Sequence, residues 1–275
     1  MQIGIVGLGL IGGSLARAVK KYTDYTVFGV DRDEGVLAAA YEAGAIDGDT
    51  DVSGCDIVFV CLYPRDCVSY MLGTEFKQGA VVADISGVKR FIAQKVSGPL
   101  RSRNVRYVGT HPMAGKETSG FANSDAGLFK GASFIITEDE TTDAEAVRLL
   151  TLLAEKLGFA RVTKCTAQKH DEVIAYTSQL AHVVSNAYVK SEASQNFSGF
   201  SAGSFMDLTR VAKLNPGMWA ELFVLNGDEL TKEIDELQRN IGALRAAIVA
   251  GDEETLRRLL KDGSDKKKRL LGEQA

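Results

Sequence analysis

His111 stands in the run Gly109-Thr110-His111-Pro112-Met113-Ala114-Gly115-Lys116-Glu117, far downstream of a glycine-rich loop, Gly7-Leu8-Gly9-Leu10-Ile11-Gly12. Together they suggest the oxidation of an alcohol. A nicotinamide cofactor accepts hydride from a carbinol carbon only if a base removes the hydroxyl proton, and neutral imidazole, with a pKa of about 6.5, suits that task.

The loop matches G-x-G-x-x-G between an expected strand and an expected helix, the context that gives this motif its meaning. Gly7 permits the tight turn, Gly9 lets backbone approach a pyrophosphate, and Gly12 lets the helix pack close to the sheet while its amino end attracts phosphate. Leu8, Leu10 and Ile11 complete the loop. Asp31 follows about 20 residues later, at the end of the second expected strand, where a carboxylate accepts from adenosine ribose hydroxyls. It also repels a 2′-phosphate, so NAD is favoured over NADP, although Arg32 beside it can stack on adenine or partly offset that repulsion. Cys61 and Leu62, ending the third expected strand, should lie along the cofactor, because ligands gather at carboxyl strand ends. The plainer reading of Cys61-Leu62-Tyr63-Pro64 is a strand end before a helix that starts with Pro.

Ser86, in Asp84-Ile85-Ser86-Gly87-Val88-Lys89, ends the fourth expected strand, and His111 lies just beyond the fifth. Both then project into one crevice, where the Ser86 hydroxyl can orient the imidazole or bind the reacting alcohol. Serines after strands are also ordinary turn and capping residues, and spacing alone leaves a structural histidine equally open.

The elements that must position these groups alternate. Strands are expected near 3–6, 26–30, 56–61, 80–84, 106–109, 133–137 and 161–163, with helices at 13–21, 35–43, 65–71, 90–96 and 144–157. This predicts a parallel α/β layout, a Rossmann-type nucleotide-binding domain over residues 1–165. From 166 to 275 the period turns helical, as in Val173, Ile174, Leu180, Val183, Val184 and Ala187, and again in Ile234, Leu237, Ile241, Leu244 and Ile248. The second domain is therefore expected to be all helical, with punctuation at Ser194–Gly203 and Asn215-Pro216-Gly217 separating helices.

The chain has 275 residues, 32 basic and 36 acidic, for a net charge of −4. So mild and mixed a balance argues against nucleic acid or an anionic membrane and for a small-molecule partner. The block Lys266-Lys267-Lys268-Arg269 reads as a solvated helix end. The first residues form an apolar strand without a basic leader, and no long apolar segment follows, which leads to the expectation of a cytoplasmic location. The cysteines, Cys55, Cys61, Cys67 and Cys165, form no CxxC pair, and with only three histidines in the chain no metal site is expected.

Across nearly its whole length the chain resembles the prephenate/arogenate dehydrogenase family: GLGLIGGS, DISGVK, GTHPMAGKETSG, SQLAHV, and DLTRVA followed by NPGMW occur in order. The resemblance implies NAD-dependent oxidative decarboxylation of a cyclohexadienol, giving 4-hydroxyphenylpyruvate from prephenate or tyrosine from arogenate. By motif, His111 resembles the family's proton-accepting histidine, and Ser86 the serine near the hydroxyl and the nicotinamide. Arg210 resembles the substrate-binding arginine and Glu117 an acidic residue that orders the site. A dicarboxylate substrate independently asks for such a guanidinium, since it offers a planar bidentate partner, while a surface arginine or a pair with Asp207 is the plain alternative. The site is then expected between the Rossmann half and the helical half.

Ser178 and His182, four residues apart, should share a helix face toward the substrate. Here the chain departs from the family, which commonly reads S-H-L-P-H where this sequence has Ser178-Gln179-Leu180-Ala181-His182; the local helix shape is thereby in question. Met206 stands where some relatives carry a basic residue. Trp219 reads as core or interface packing, and His170-Asp171 as a capping or structural pair. The amphipathic carboxy-terminal helices carry more apolar surface than a small domain buries, so a homodimer is expected, as in similar enzymes. A catalytically inactive nucleotide-binding protein and another β-hydroxyacid-type dehydrogenase remain alternatives.

Overall fold

Short runs of β-branched residues flanked by turn formers build the sheet. The computed structural model describes residues 1–49, 51–196, 199–200 and 203–272. Strands β1 (Gln2–Val6), β2 (Thr26–Val30), β3 (Ile57–Val60), β4 (Val81–Asp84) and β5 (Arg106–Pro112) alternate with helices α1 (Leu10–Tyr22), α2 (Glu34–Glu42), α3 (Pro64–Gly73) and α4 (Arg90–Ser102). β6 (Ser133–Thr137), α5 (Ala144–Lys156) and β7 (Arg161–Cys165) complete a seven-stranded sheet in the order β2-β1-β3-β4-β5-β6-β7. From β1 the chain moves outward to β2, then crosses back to β3, so a topological switch point lies between β1 and β3. Phe28 also bridges Gly48 in parallel, which extends that edge by a single residue pair.

Period-two alternation divides the core between the two faces. Ile57, Phe59, Val81 and Ala83 pack with Leu15 and Val19 of α1 and Leu150 of α5. Val58, Val60 and Val82 pack with Met71 of α3 and Ile92, Val96 and Leu100 of α4. Each of the larger of these side chains, removed from water, contributes about 1.5–3 kcal/mol. The layer thus fixes where the strand ends lie: Val6 pairs with Val30 and Val60, Val60 with Asp84, and Asp84 with Gly109. The segments that follow these residues, including the glycine loop, Asp31, Cys61 and Ser86, leave the sheet at one end, and His111 lies in β5 at that same end.

Two expectations need correction. The sheet is not wholly parallel, because β6 runs antiparallel to β5, with His111 opposite Ile135. Between them only a three-residue 3-10 turn, Phe121–Asn123, interrupts the loop, and without a crossover helix the strand returns along the same edge. The same pairing carries β5 through Pro112, so His111 lies inside the strand rather than beyond it.

After β7 the structure is helical: α6 (Ala167–Ile174), α7 (Leu180–Tyr188), α8 (Gly203–Thr209), α9 (Pro216–Leu225), α10 (Gly227–Ala250) and α11 (Glu253–Leu270). Thr166 caps α6 through Lys169 N–H, and Asn215 caps α9 with Pro216 at its first position. The 194–203 stretch lies partly outside the described residues. The chain forms two compact units, Met1–Asn226 and Gly227–Ala275. Helices α6–α9 belong to the unit that holds the sheet. In the second unit α10 and α11 contact each other, and Lys266 pairs with Asp262. No helix among the described residues is long and apolar enough to cross a membrane.

Candidate active site

The glycine loop has the geometry its motif requires. Gly7 has φ +85°, and a Cβ there would lie 2.7 Å from the Cys61 carbonyl oxygen; at Gly12 a Cβ would lie 1.9 Å from the Gly7 carbonyl oxygen. Both positions exclude a side chain because backbone already fills the space. At Gly9 a Cβ would meet nothing within 4 Å. Gly9 is also the N-cap of α1, so open space adjoins free backbone N–H groups, as a pyrophosphate requires. The Asp31 carboxylate accepts from Leu8 N–H at 2.7 Å and Asp33 N–H at 3.1 Å, which fixes it against the loop with further lone pairs to spare. Arg32 is exposed beside it, and Cys61 and Leu62 leave β3 half-buried. These residues fit a dinucleotide.

Behind the strand ends lies a buried charge pair. Lys89 and Asp84 are fully buried and joined by an ion pair, while Tyr107 Oη donates to Asp84 Oδ2 at 2.7 Å and Ser86 N–H to Oδ1 at 2.9 Å. Lys89 Nζ also donates to the Thr110 carbonyl at 2.6 Å. The residue before His111 is thus tied to the loop that carries Ser86.

His111 and Ser86 do not hydrogen-bond. Ser86 is buried, and among the described residues its hydroxyl has one partner, Cys67 Sγ at 3.7 Å. The neighbouring Gly87 brings the loop to the ring, since a Cβ there would lie 3.9 Å from His111 Cε1. His111 Nδ1 meets His170 Nε2 at 2.9 Å, and His170 Nδ1 meets Asp171 Oδ1 at 2.7 Å. Burial, with the neighbouring His170 and Lys89, holds the His111 pKa well below the ordinary histidine value, and burial also lowers that of His170. His111 remains partly exposed and is therefore a neutral imidazole with an open edge.

His170-Asp171 accordingly does not cap its own helix, which Thr166 caps, but faces the His111 imidazole. The sequence carried a signal for it, an acid beside one of only three histidines, but nothing local says which strand the pair will face.

On the helical side, Arg210 follows α8 and donates from Nη1 to Glu117 Oε1 at 2.7 Å; Asp207 is not its partner. The hydrogen bonds made by Glu117, including that from Arg210, lower its pKa. Residues 112–116, from the end of β5 and the following loop, therefore connect the His111 imidazole to the carboxylate that holds Arg210. The helix expected to run past Ser178 is interrupted by a π-helical turn, Ala175–Gln179, between α6 and α7. Such a turn re-aims the side chains after it. His182 Nδ1 lies 3.0 Å from the Ser178 carbonyl, so backbone rather than hydroxyl links the two residues. The His182 ring stacks on Trp219, with centroids 3.7 Å apart, and Trp219 in turn meets Phe223 at 5.4 Å. Met206 is exposed on α8.

Gln179, the departure from the family pattern, is buried. Its Oε1 accepts from Asn226 Nδ2 at 2.8 Å, and Asn226 Oδ1 accepts from Arg90 Nη2 at 3.0 Å. The amide thus braces α9 against the amino end of α4. Among the described residues, no group of three or more His, Cys, Asp or Glu side chains is placed to hold a metal ion.

The arrangement can take a proton at one end of the sheet beside a dinucleotide loop and hold an acid nearby. Residues 15–164 match the family model described as prephenate dehydrogenase, nucleotide-binding domain, and residues 166–262 that described as prephenate dehydrogenase, dimerization domain. The chain is 31% identical to a prephenate dehydrogenase of Bacillus subtilis (95% of this chain, 74% of that one) and 32% identical to a cyclohexadienyl dehydrogenase of Zymomonas mobilis (93% and 91%). Its fold matches a crystal structure of prephenate dehydrogenase from A. aeolicus in complex with hydroxyphenyl propionate and NAD+, with a TM-score of 0.87, 28% identity and 98% of each chain covered.

Proposed function

Because the chain belongs to the prephenate dehydrogenase family, we propose that it catalyses the NAD-dependent oxidative decarboxylation of prephenate to 4-hydroxyphenylpyruvate, a step of tyrosine formation. The observation that carries this reading is the single segment 111–117, which joins a half-buried, neutral imidazole to the carboxylate that holds Arg210. NAD supplies the hydride acceptor. Gly7, Leu8, Gly9, Leu10, Ile11 and Gly12 hold its pyrophosphate, Asp31 and Arg32 its adenosine, and Cys61 and Leu62 flank it.

His111 takes the ring hydroxyl proton as the carbinol carbon is oxidised. The electron pair of the bond to the ring carboxylate then enters the ring, which becomes aromatic as carbon dioxide leaves. Arg210 grips a substrate carboxylate through its planar fork, and Glu117 keeps the guanidinium aimed. Ser86 lies beside the reacting hydroxyl, while Ser178 and His182, with Trp219 behind the histidine ring, form the helical wall.

Residues 1–165 serve as the nucleotide-binding part and 166–275 as the substrate-binding and dimerisation part of a cytoplasmic homodimer. Exposed Ile241, Ile248, Val249 and Leu260 on α10 and α11 support the dimer, since an isolated chain leaves this apolar surface in water.

The test is NADH formation followed by absorbance, with prephenate, arogenate and a hydroxyisobutyrate-like acid in parallel. Turnover with prephenate and none with the small hydroxy acid is expected. Preference for arogenate would move the activity to the amino-acid branch, and turnover of neither cyclohexadienol would overturn the reading.

A further inference from the structure

Asp171 belongs to α6 but caps α4. Its Oδ1 accepts the Lys89 backbone N–H at 2.8 Å, and its Oδ2 accepts the Arg90 backbone N–H at 3.0 Å and Nε–H at 3.2 Å. The N-cap residue of α4 itself makes no side-chain capping bond. Burial would raise the Asp171 pKa, but the hydrogen bond from His170 and those from the helix end outweigh it and leave the pKa lowered. The positive amino end of a helix and a guanidinium thus keep this buried carboxylate ionised.

That charge settles two imidazoles in turn. An ionised carboxylate only accepts, so His170 must be the donor, from Nδ1, across the 2.7 Å contact. A neutral His170 protonated at Nδ1 has a bare Nε2, and across the 2.9 Å contact His111 must then donate from its own Nδ1. The lone pair left on His111 is at Nε2. We propose that His170 and Asp171 are positioning residues that lock His111 in the Nδ1–H tautomer, so that Nε2 is the nitrogen that receives the substrate proton. The proposal rests on the reading of His111 as the base. As Nε2 gains the proton, His111 becomes an imidazolium whose Nδ1–H still points along His170 toward the Asp171 carboxylate, which stabilises the charge without itself becoming protonated.

Asp171→Asn reverses the chain if its amide donates to His170 Nδ1: His170 then donates from Nε2, and His111 holds its proton on Nε2, where the base is needed. Turnover at saturating prephenate should fall by roughly 10²–10⁴-fold, with KM and NAD affinity little changed. Since Asp171 also caps α4, His170→Gln and His170→Phe provide a second comparison. The Gln carbonyl can still accept from His111 Nδ1, so it should retain more kcat than Phe at equal thermal stability. ¹⁵N NMR of the imidazoles in the intact protein reads the tautomer independently of turnover, with a protonated nitrogen expected at His111 Nδ1 and a bare one at Nε2. A bare Nδ1 on His111 would overturn the proposal, as would equal kcat for the Gln and Phe variants. Loss of turnover in His111→Asn together with any of these would leave the base standing and remove only its positioning. If neither cyclohexadienol is turned over, the NMR result still decides the tautomer.

Discussion

Arg210 and Glu117, 93 residues apart in the chain, are joined at 2.7 Å while both side chains stay largely open to solvent. Exposed pairs of this kind add little to folding stability, so the pair's consequence should be sought in binding. Arg210→Ala is expected to raise KM for prephenate by roughly 10- to 100-fold, the worth of a charge-assisted hydrogen bond to a carboxylate, with a smaller change in kcat. Thermal melting should hardly move. Steady-state kinetics showing an unchanged KM would remove Arg210 from the substrate site.

His111→Asn keeps an N–H donor near the Nδ1 position but not the ring's basicity. Turnover at saturating substrate should drop by about 10²–10⁴-fold, and the cofactor should still bind. Unchanged turnover would refute the base assignment.

The lowered pKa of His111 sets the direction of the pH response. The imidazole stays neutral below its ordinary value of about 6.5, so the acid limb of kcat/KM should lie below that pH rather than at it. Stability follows the same sign. Between the folded and unfolded pKa values the unfolded chain binds more protons, so the contribution of His111 and His170 is complete above about pH 6.5 and is lost as the pH falls through the folded values. Urea denaturation at pH 7.5 and 5.5, in wild type and His170→Gln, measures this directly; a smaller pH dependence is expected in the variant.

Lys89→Met strands the Asp84 carboxylate in the interior with only the Tyr107 hydroxyl and Ser86 N–H as donors. A destabilisation of about 3–5 kcal/mol is expected by denaturant unfolding, and Asp84→Asn in the same chain should recover part of it. Equal stability of wild type and Lys89→Met would show that the buried pair is not ionised.

The three motif glycines should separate in experiment. Gly12→Ala meets the Gly7 carbonyl and should lower the melting temperature and abolish NAD binding together. Gly9→Ala meets no protein atom, so the fold should be retained while NAD affinity, measured by calorimetry or fluorescence, falls. If Gly9→Ala binds NAD normally, the cofactor does not approach that backbone.

What the sequence alone determined was local or periodic. Alternating β-branched runs gave the strands, the G-x-G-x-x-G spacing gave the turn into α1, and the change of period after Cys165 gave the helical second part. The ordered motifs then pointed to His111, Ser86 and Arg210 as candidates. Partnerships were different. The antiparallel return of β6, the π turn before Ser178, the Gln179 brace and the line from Asp171 through His170 to His111 depend on residues distant in the chain or on how one helix end meets another. A hydrogen bond between distant side chains leaves no period in the chain, because its partners are chosen only when the sheet and helices have packed. The residue types that do the chemistry were therefore written in one dimension, while the nitrogen that is left bare to do it was decided in three.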